Sequence, residues 1–175
     1  MEAVLVRHTS VDVAQGVCYG RTDVPLKATF PQEAAAVAAA LPSGPFDAVY
    51  TSPLSRCARL SVFCGWPDAV REPRLLEMDF GAWEMQPWKT VSDPLLETWF
   101  ADWVHTPTAG GESFDGMCGR VGAFISQLKA AGLKRVLLFT HGGVIACART
   151  VAGSCSVDQA FAELTPYGGV VTLQF

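Results

Sequence analysis

The sequence predicts an α/β protein, a three-layer α/β/α sandwich in which a mostly parallel sheet is covered by helices on both faces. Three observations carry this reading. Apolar runs of strand length at Ala3–Val6, Phe46–Thr51, Arg135–Thr140 and Gly168–Phe175 alternate with segments whose apolar residues recur at helical spacing. The clearest runs, Ala3-Val4-Leu5-Val6 and Val136-Leu137-Leu138-Phe139, are continuous rather than alternating, as expected of strands buried on both faces. Both end abruptly in polar residues, Arg7-His8 and His141-Gly142-Gly143, and these hold two of the 3 histidines in the chain.

Each element has its own justification. The segment from Thr9 to Leu26 has no sustained period and contains Gly16, Gly20 and Pro25, so it reads as a long loop, a feature usually tied to function in a compact domain. Phe30 to Leu41 reads as a helix, with Pro31 suited to its first position and Phe30, Ala34, Val37 and Leu41 on one face. Pro42-Ser43-Gly44-Pro45 ends it. The Phe46–Thr51 strand runs into Ser52-Pro53, which reads as an N-cap and first helical residue, with Arg56 in the first turn.

That helix is expected to reach about Cys64, followed by a weak strand at Val70–Pro73. Arg74 to Gln86 reads as a loop with a turn or two of helix, and Ser92 to Val104 as helical. After Gly110-Gly111-Glu112-Ser113 comes the clearest helix. Phe114, Met117, Cys118, Val121, Phe124, Ile125 and Leu128 form one stripe, which belongs to the core, and Gly132 stops it. A helix from about Val144 to Val151, a short one at Val157–Leu164 and the closing Gly168–Phe175 strand complete the series.

Composition narrows the function classes. At 175 residues, 50% of them hydrophobic, the chain is expected to form one domain over residues 1–175, burying about two-thirds of its unfolded surface. A net charge of -4 offers no general attraction for nucleic acid or an anionic membrane. No apolar stretch approaches the roughly 20 residues of a membrane span, and the N-terminus enters a strand at once with no leader pattern. The 6 scattered cysteines, with no C-x-x-C, read as reduced residues of a cytoplasmic protein. The sequence does not determine an oligomeric state.

In an open α/β sheet, ligands bind just beyond the carboxyl ends of the strands. Arg7-His8, the Ser52-to-Arg56 turn and His141 therefore converge on one edge, gathering four potentially cationic groups in an acidic protein. An anionic ligand makes such a cluster tolerable, and phosphate fits best, since cations and helix starts stabilise a phosphoryl group in transfer. Several phosphate chemistries are missing. There is no G-x-x-x-x-G-K-[ST] loop, no cysteine followed six positions on by an arginine, and no Asp-x-Asp after a strand. Three histidines with no H-x-H are poor material for a metal pair. A neutral imidazole attacks phosphorus without any of these, which points to His8 as nucleophile in a metal-free, cofactor-free reaction.

These residues also carry a family resemblance. Leu5-Val6-Arg7-His8, Thr51-Ser52-Pro53-Leu54-Ser55-Arg56, Leu76 to Glu84, Gly110-Gly111-Glu112-Ser113 and Thr140-His141-Gly142-Gly143 occur in order over nearly the whole chain. Together they resemble the histidine phosphatase (phosphoglycerate mutase-like) superfamily. The resemblance implies that fold, with His8 as the phosphorylated residue, Arg7 and Arg56 clamping the phosphoryl oxygens, and His141 and the Gly142 N–H stabilising them. It implies Glu77 as proton donor and later base, with Glu84 as the rival. The family commonly reads Arg-His-Gly-Glu-Thr with an asparagine a few residues on. Here Thr9, Ser10 and Val11 follow His8 and Ala14 stands at the asparagine position, so a hydroxyl of Thr9 or Ser10 is the expected substitute.

Arg21 and Arg59 read as surface charges, and His105 as an exposed loop histidine. Trp83, Trp88, Trp99 and Trp103 read either as a wall for a flat base or as packing over the core. The compact length and Cys18 to Leu26 resemble members that remove a 5′-phosphate during cobalamin nucleotide-loop assembly. The implied partner is thus a small-molecule phosphate ester, α-ribazole 5′-phosphate or a cobamide 5′-phosphate. The alternatives are a broad phosphatase, a phosphoglycerate mutase or a non-catalytic phospho-ligand binder on the same fold.

Overall fold

The structure, a computed structural model, describes all residues 1–175. Five strands, β1 (Glu2–Arg7), β2 (Ala48–Thr51), β3 (Val70–Arg71), β4 (Arg135–Thr140) and β5 (Val170–Gln174), form one sheet in the order β3-β2-β4-β1-β5. All neighbours are parallel except β5, which runs antiparallel to β1. The expected α/β/α sandwich with a mostly parallel sheet is the observed fold.

The chain has six α-helices: α1 (Phe30–Ala40), α2 (Ser55–Phe63), α3 (Leu96–Ala101), α4 (Phe114–Ala130), α5 (Gly142–Val151) and α6 (Val157–Ala162). The period-2 alternation of the strands sorts them into two layers. Val4, Val6, Leu137 and Phe139 face α1 and α2, packing against Ala34, Val37, Cys57 and Leu60. Ala3, Leu5, Val136 and Leu138 face the opposite way, onto the apolar stripes of α4 and α5. Helix α4 buries Phe114, Met117, Val121, Phe124, Ile125 and Leu128, and Ser113 caps it by accepting the Gly116 N–H at 3.1 Å. Each fully buried side chain of this size contributes about 1.5–3 kcal/mol, so α4 anchors its layer.

Several boundaries differ from the sequence reading. Helix α2 begins at Ser55 with Leu54 as its cap; Ser52 Oγ accepts the Leu54 N–H at 3.4 Å and also meets His141 Nε2 at 2.8 Å. Helix α5 starts two residues early, at Gly142. Helix α3 covers only Leu96–Ala101 of the expected Ser92–Val104. Asp93 accepts the Leu95 N–H at its start and Asp102 caps the turn reaching His105, so these carboxylates hold turns on both flanks.

Register matters most for the site. Arg7 lies opposite Thr140, and Thr51 opposite Phe139. The ladder continues one step further, with His8 N–H on the Thr140 carbonyl (3.0 Å) and Ser52 N–H on the Phe139 carbonyl (2.8 Å). His8, Ser52 and His141 therefore emerge together at one carboxyl edge.

Candidate active site

His8 is held for one task. It is 2 % exposed, and its Nδ1 lies 2.7 Å from the Thr9 carbonyl. A carbonyl only accepts, so Nδ1 carries the proton and Nε2 keeps its lone pair. Burial, reinforced by the Arg56 charge, lowers the His8 pKa to about 3. The imidazole is therefore neutral and oriented at ordinary pH, and its free Nε2 lone pair can serve as a nucleophile.

Behind it, 5.2 Å away edge-on, stands His141, fully buried. Arg56 Nε donates to His141 Nδ1 at 3.3 Å, which places the His141 proton on Nε2, facing Ser52 Oγ at 2.8 Å. Burial first, and then Arg56, push the His141 pKa well below its ordinary value. Of the four groups expected to be cationic, the two histidines are thus neutral and only the arginines carry charge. Arg56 is fully buried, with Nη1 on the Thr22 carbonyl (2.9 Å) and Nη2 on the Gly20 carbonyl (2.6 Å). Three of its five N–H donors are committed and two are left.

Arg7 comes from the strand end itself. Its Nη1 donates to the Thr165 carbonyl at 2.6 Å, while its Nε is buried with no hydrogen-bond partner. An unpaired buried guanidinium donor is costly, and an anion is its natural complement. Thr9 Oγ1 is likewise buried and unpartnered.

Glu77 and Arg7 both close on the start of α5, where backbone N–H groups have no intrahelical acceptor. Gly143 N–H donates to Glu77 Oε2 at 3.1 Å, and Met78 N–H to Oε1 at 3.0 Å. The two glycines make this approach possible. A Cβ on Gly143 would lie 2.4 Å from Glu77 Oε1, and one on Gly142 would lie 3.0 Å from Arg7 Cζ.

Arg7, His8, Glu77, Gly142 and Gly143 line a cavity of about 240 Å³ whose other wall includes Val17, Tyr19, Phe80, Trp88, Phe161 and Leu164. The structure brings Arg7, His8, Glu77 and Gly142 onto the cavity wall. Arg56 and His141 are not on that wall; His141 packs edge-on against His8, and Arg56 is hydrogen-bonded to His141. Met78, Phe80 and Phe161 are shared with an adjoining aromatic groove that includes Trp99, Phe100 and Trp103.

The rival carboxylate, Glu84, faces elsewhere. It accepts the Gly20, Arg21 and Thr22 N–H groups, the Thr22 hydroxyl and the Phe80 N–H, pinning two loops together. Those hydrogen bonds hold its pKa below the usual range despite burial. Arg21 pairs with Asp79 (3.1 Å) and Glu112 (3.5 Å), and Arg59 stacks on Phe30, so neither reaches the cavity. His105 is exposed as expected, but it has a partner, Asp102, at 2.8 Å. Trp88 lines the cavity, Trp99 and Trp103 line the groove, and Trp83 is buried with its N–H on Asp93.

Two contributors escaped the sequence reading. Ser52 fixes His141, and Arg120 of α4 holds the Glu77 loop. Arg120 donates to the Arg74 and Leu76 carbonyls (2.8 and 2.7 Å), to the Glu77 carbonyl (3.1 Å) and to Glu112 (2.6 Å). The one available signal was an arginine on the otherwise apolar-striped α4, with Glu112 eight residues earlier.

Known proteins with the same architecture carry phosphate chemistry. The adenosylcobalamin/alpha-ribazole phosphatase of Salmonella typhimurium is 33% identical over 154 residues, 83% of this chain and 76% of the relative. The Escherichia coli protein of the same name is 30% identical over 153 residues, 83% of this chain and 75% of its own length. A solved structure described as phosphoglycerate mutase from Thermus thermophilus is 31% identical with a TM-score of 0.78, covering 100% of this chain and 94% of that one. The alpha-ribazole phosphatase of Shigella flexneri, at 24% identity and a TM-score of 0.85, covers 100% of this chain and 91% of its own, and shares the fold. The model of the histidine phosphatase superfamily (branch 1) matches residues 3–175, and the chain belongs to that family.

Proposed function

We propose that this phosphatase hydrolyses α-ribazole 5′-phosphate, or the corresponding cobamide 5′-phosphate, through a phosphohistidine on His8, acting as one domain over residues 1–175. The carrying observation is the state of His8: neutral, Nδ1 committed to a carbonyl, and set beside the unpaired Nε of Arg7. In the first step His8 Nε2 attacks phosphorus, the bond to the ester oxygen breaks, and Glu77 gives that oxygen a proton. In the second step Glu77 takes a proton from water as the water attacks phosphorus. The N–P bond then breaks, releasing inorganic phosphate and free His8. Arg7, the Gly142 N–H and Arg56 stabilise the transferring group, and His141, with Nδ1 accepting from Arg56 and Nε2 on Ser52, orients Arg56. The charge comes from side chains and a helix start, without a metal or cofactor.

The substrate class is supported by the names of the relatives and by the cavity's two-sided character. One side presents Arg7, His8 and Glu77; the other presents Val17, Phe80, Trp88, Phe161 and Leu164, continuing into the aromatic groove. A planar base on such a wall gains roughly 1–3 kcal/mol, about ten- to a hundredfold in selectivity. The α-ribazole ester is therefore expected to exceed ribose 5-phosphate and 3-phosphoglycerate in kcat/KM by at least about tenfold. A substrate panel at fixed pH tests this. Equal rates on all three would favour a broad phosphatase, and isomerisation of 3-phosphoglycerate outpacing hydrolysis would favour a mutase. No helix is long and apolar enough to cross a membrane.

A further inference from the structure

Tyr19 and Tyr167, from two separate loops, meet beside the site. Tyr19 belongs to the long loop after β1 and lines the cavity, while Tyr167 belongs to the turn before β5. The Tyr167 ring lies 4.2 Å from the Arg7 guanidinium and 5.5 Å from the His8 ring. The Tyr19 ring lies 5.7 Å from the Arg56 guanidinium. One ring thus rests against each arginine, and the two hydroxyls meet at 2.6 Å. The Tyr167 turn is fixed to the nucleophile's own backbone. Gly168 N–H donates to the His8 carbonyl at 3.1 Å, and Arg7 N–H to the Gly169 carbonyl at 2.9 Å.

The pair has hydrogen-bonding capacity to spare. Two phenols hold two protons, and a single hydrogen bond between them uses one. The hydroxyls bond to each other and to no other protein group, so one O–H proton is free for a third partner. A phenol that accepts one hydrogen bond while donating another is a stronger donor than an isolated one. At the mouth of a site built around two arginines and a nucleophile, the complementary partner is an anionic oxygen.

We propose that Tyr19 and Tyr167 act as a single donor unit to the phosphoryl group, one phenol donating to the other and the second donating to a phosphoryl oxygen. This rests on the phosphatase reading of the same site. The substitutions Tyr19→Phe and Tyr167→Phe keep both rings against their arginines and remove only the hydroxyls. The probe is orthovanadate, a phosphate analogue, with its inhibition constant and the kcat/KM for p-nitrophenyl phosphate measured beside the thermal midpoint.

The variant that removes the phenol donating to the phosphoryl oxygen is expected to bind orthovanadate about ten- to a hundredfold more weakly, the scale of one hydrogen bond to a charged group, while the variant that removes the supporting phenol weakens it by less. The double variant is expected to lose little beyond the worse single one, since the supporting phenol acts only through the donating one. The thermal midpoints stay near wild type. Wild-type or tighter orthovanadate inhibition in both single variants would overturn the proposal and make the pair a mere cover. Fully additive losses would overturn the pairing. Failure of the underlying reading looks different: the unaltered protein would neither hydrolyse p-nitrophenyl phosphate nor be inhibited by orthovanadate.

Discussion

Replacing Glu77 by glutamine separates proton transfer from packing. The carboxylate accepts two backbone N–H groups, from Gly143 at 3.1 Å and Met78 at 3.0 Å. The amide of Glu77→Gln has one acceptor oxygen, so it keeps one of these bonds and turns an NH₂ toward the other donor. The fold is expected to lose about 1–2 kcal/mol, the cost of one hydrogen bond and an unpaired donor, which leaves it folded. The chemical effect is far larger for one class of ester. An alkoxide leaving group needs its proton in the transition state, and general acid catalysis supplies roughly 10²–10⁴-fold. A p-nitrophenolate leaves without a proton and needs little help. The kcat/KM for α-ribazole 5′-phosphate should therefore fall at least about a hundredfold further than that for p-nitrophenyl phosphate. Measuring both esters on wild type and variant, with a denaturation curve as control, decides the matter. Equal losses on the two esters would refute proton donation by Glu77 and leave it a structural role.

Further outcomes follow from the same geometry. Chelation by EDTA is expected to leave hydrolysis unchanged, because Arg7 and Arg56 supply the charge; loss of activity restored by a divalent ion would contradict this. His8 and His141 both have folded pKa values below their unfolded ones, His8 at about 3. The unfolded chain then binds more protons below about pH 6.5, so stability is present above that pH and falls as pH drops toward 3. At pH 5 the loss from His8 is about 2 kcal/mol, and urea midpoints at pH 7.5 and 5 should show a smaller drop for His8→Gln than for wild type. Arg120→Lys removes the fork that holds three carbonyls and Glu112. It is expected to cost about 2–3 kcal/mol and to slow alkoxide esters more than p-nitrophenyl phosphate, whereas equal slowing would separate Arg120 from Glu77 positioning.

What could be read from the sequence was whatever local pattern determines. The apolar runs ending at Arg7-His8 and His141 marked two parallel strands whose register brings both histidines to one edge, and the stripe from Phe114 to Leu128 marked the helix that backs them. What escaped depended on distant partners. Ser52 looked like a helix cap only; its hydroxyl also meets His141, 89 residues away. Glu77 and Glu84 are indistinguishable by spacing; only the folded loops show one lining the cavity and the other bound to Gly20, Arg21 and Thr22. The neutrality of both histidines is a consequence of burial beside Arg56, and residue type alone does not carry it. The Tyr19–Tyr167 contact spans 148 positions and leaves no local trace.

The central claim is that His8 carries the phosphoryl group. The most direct test mixes enzyme and substrate, quenches in alkaline denaturant, which preserves phosphohistidine, and maps the modified peptide by mass spectrometry. An acid-labile phosphoryl group is expected on the peptide containing His8 in wild type, accumulating in Glu77→Gln with p-nitrophenyl phosphate and absent in His8→Ala. A phosphoryl group on any other residue, or full turnover by His8→Ala, would contradict that claim.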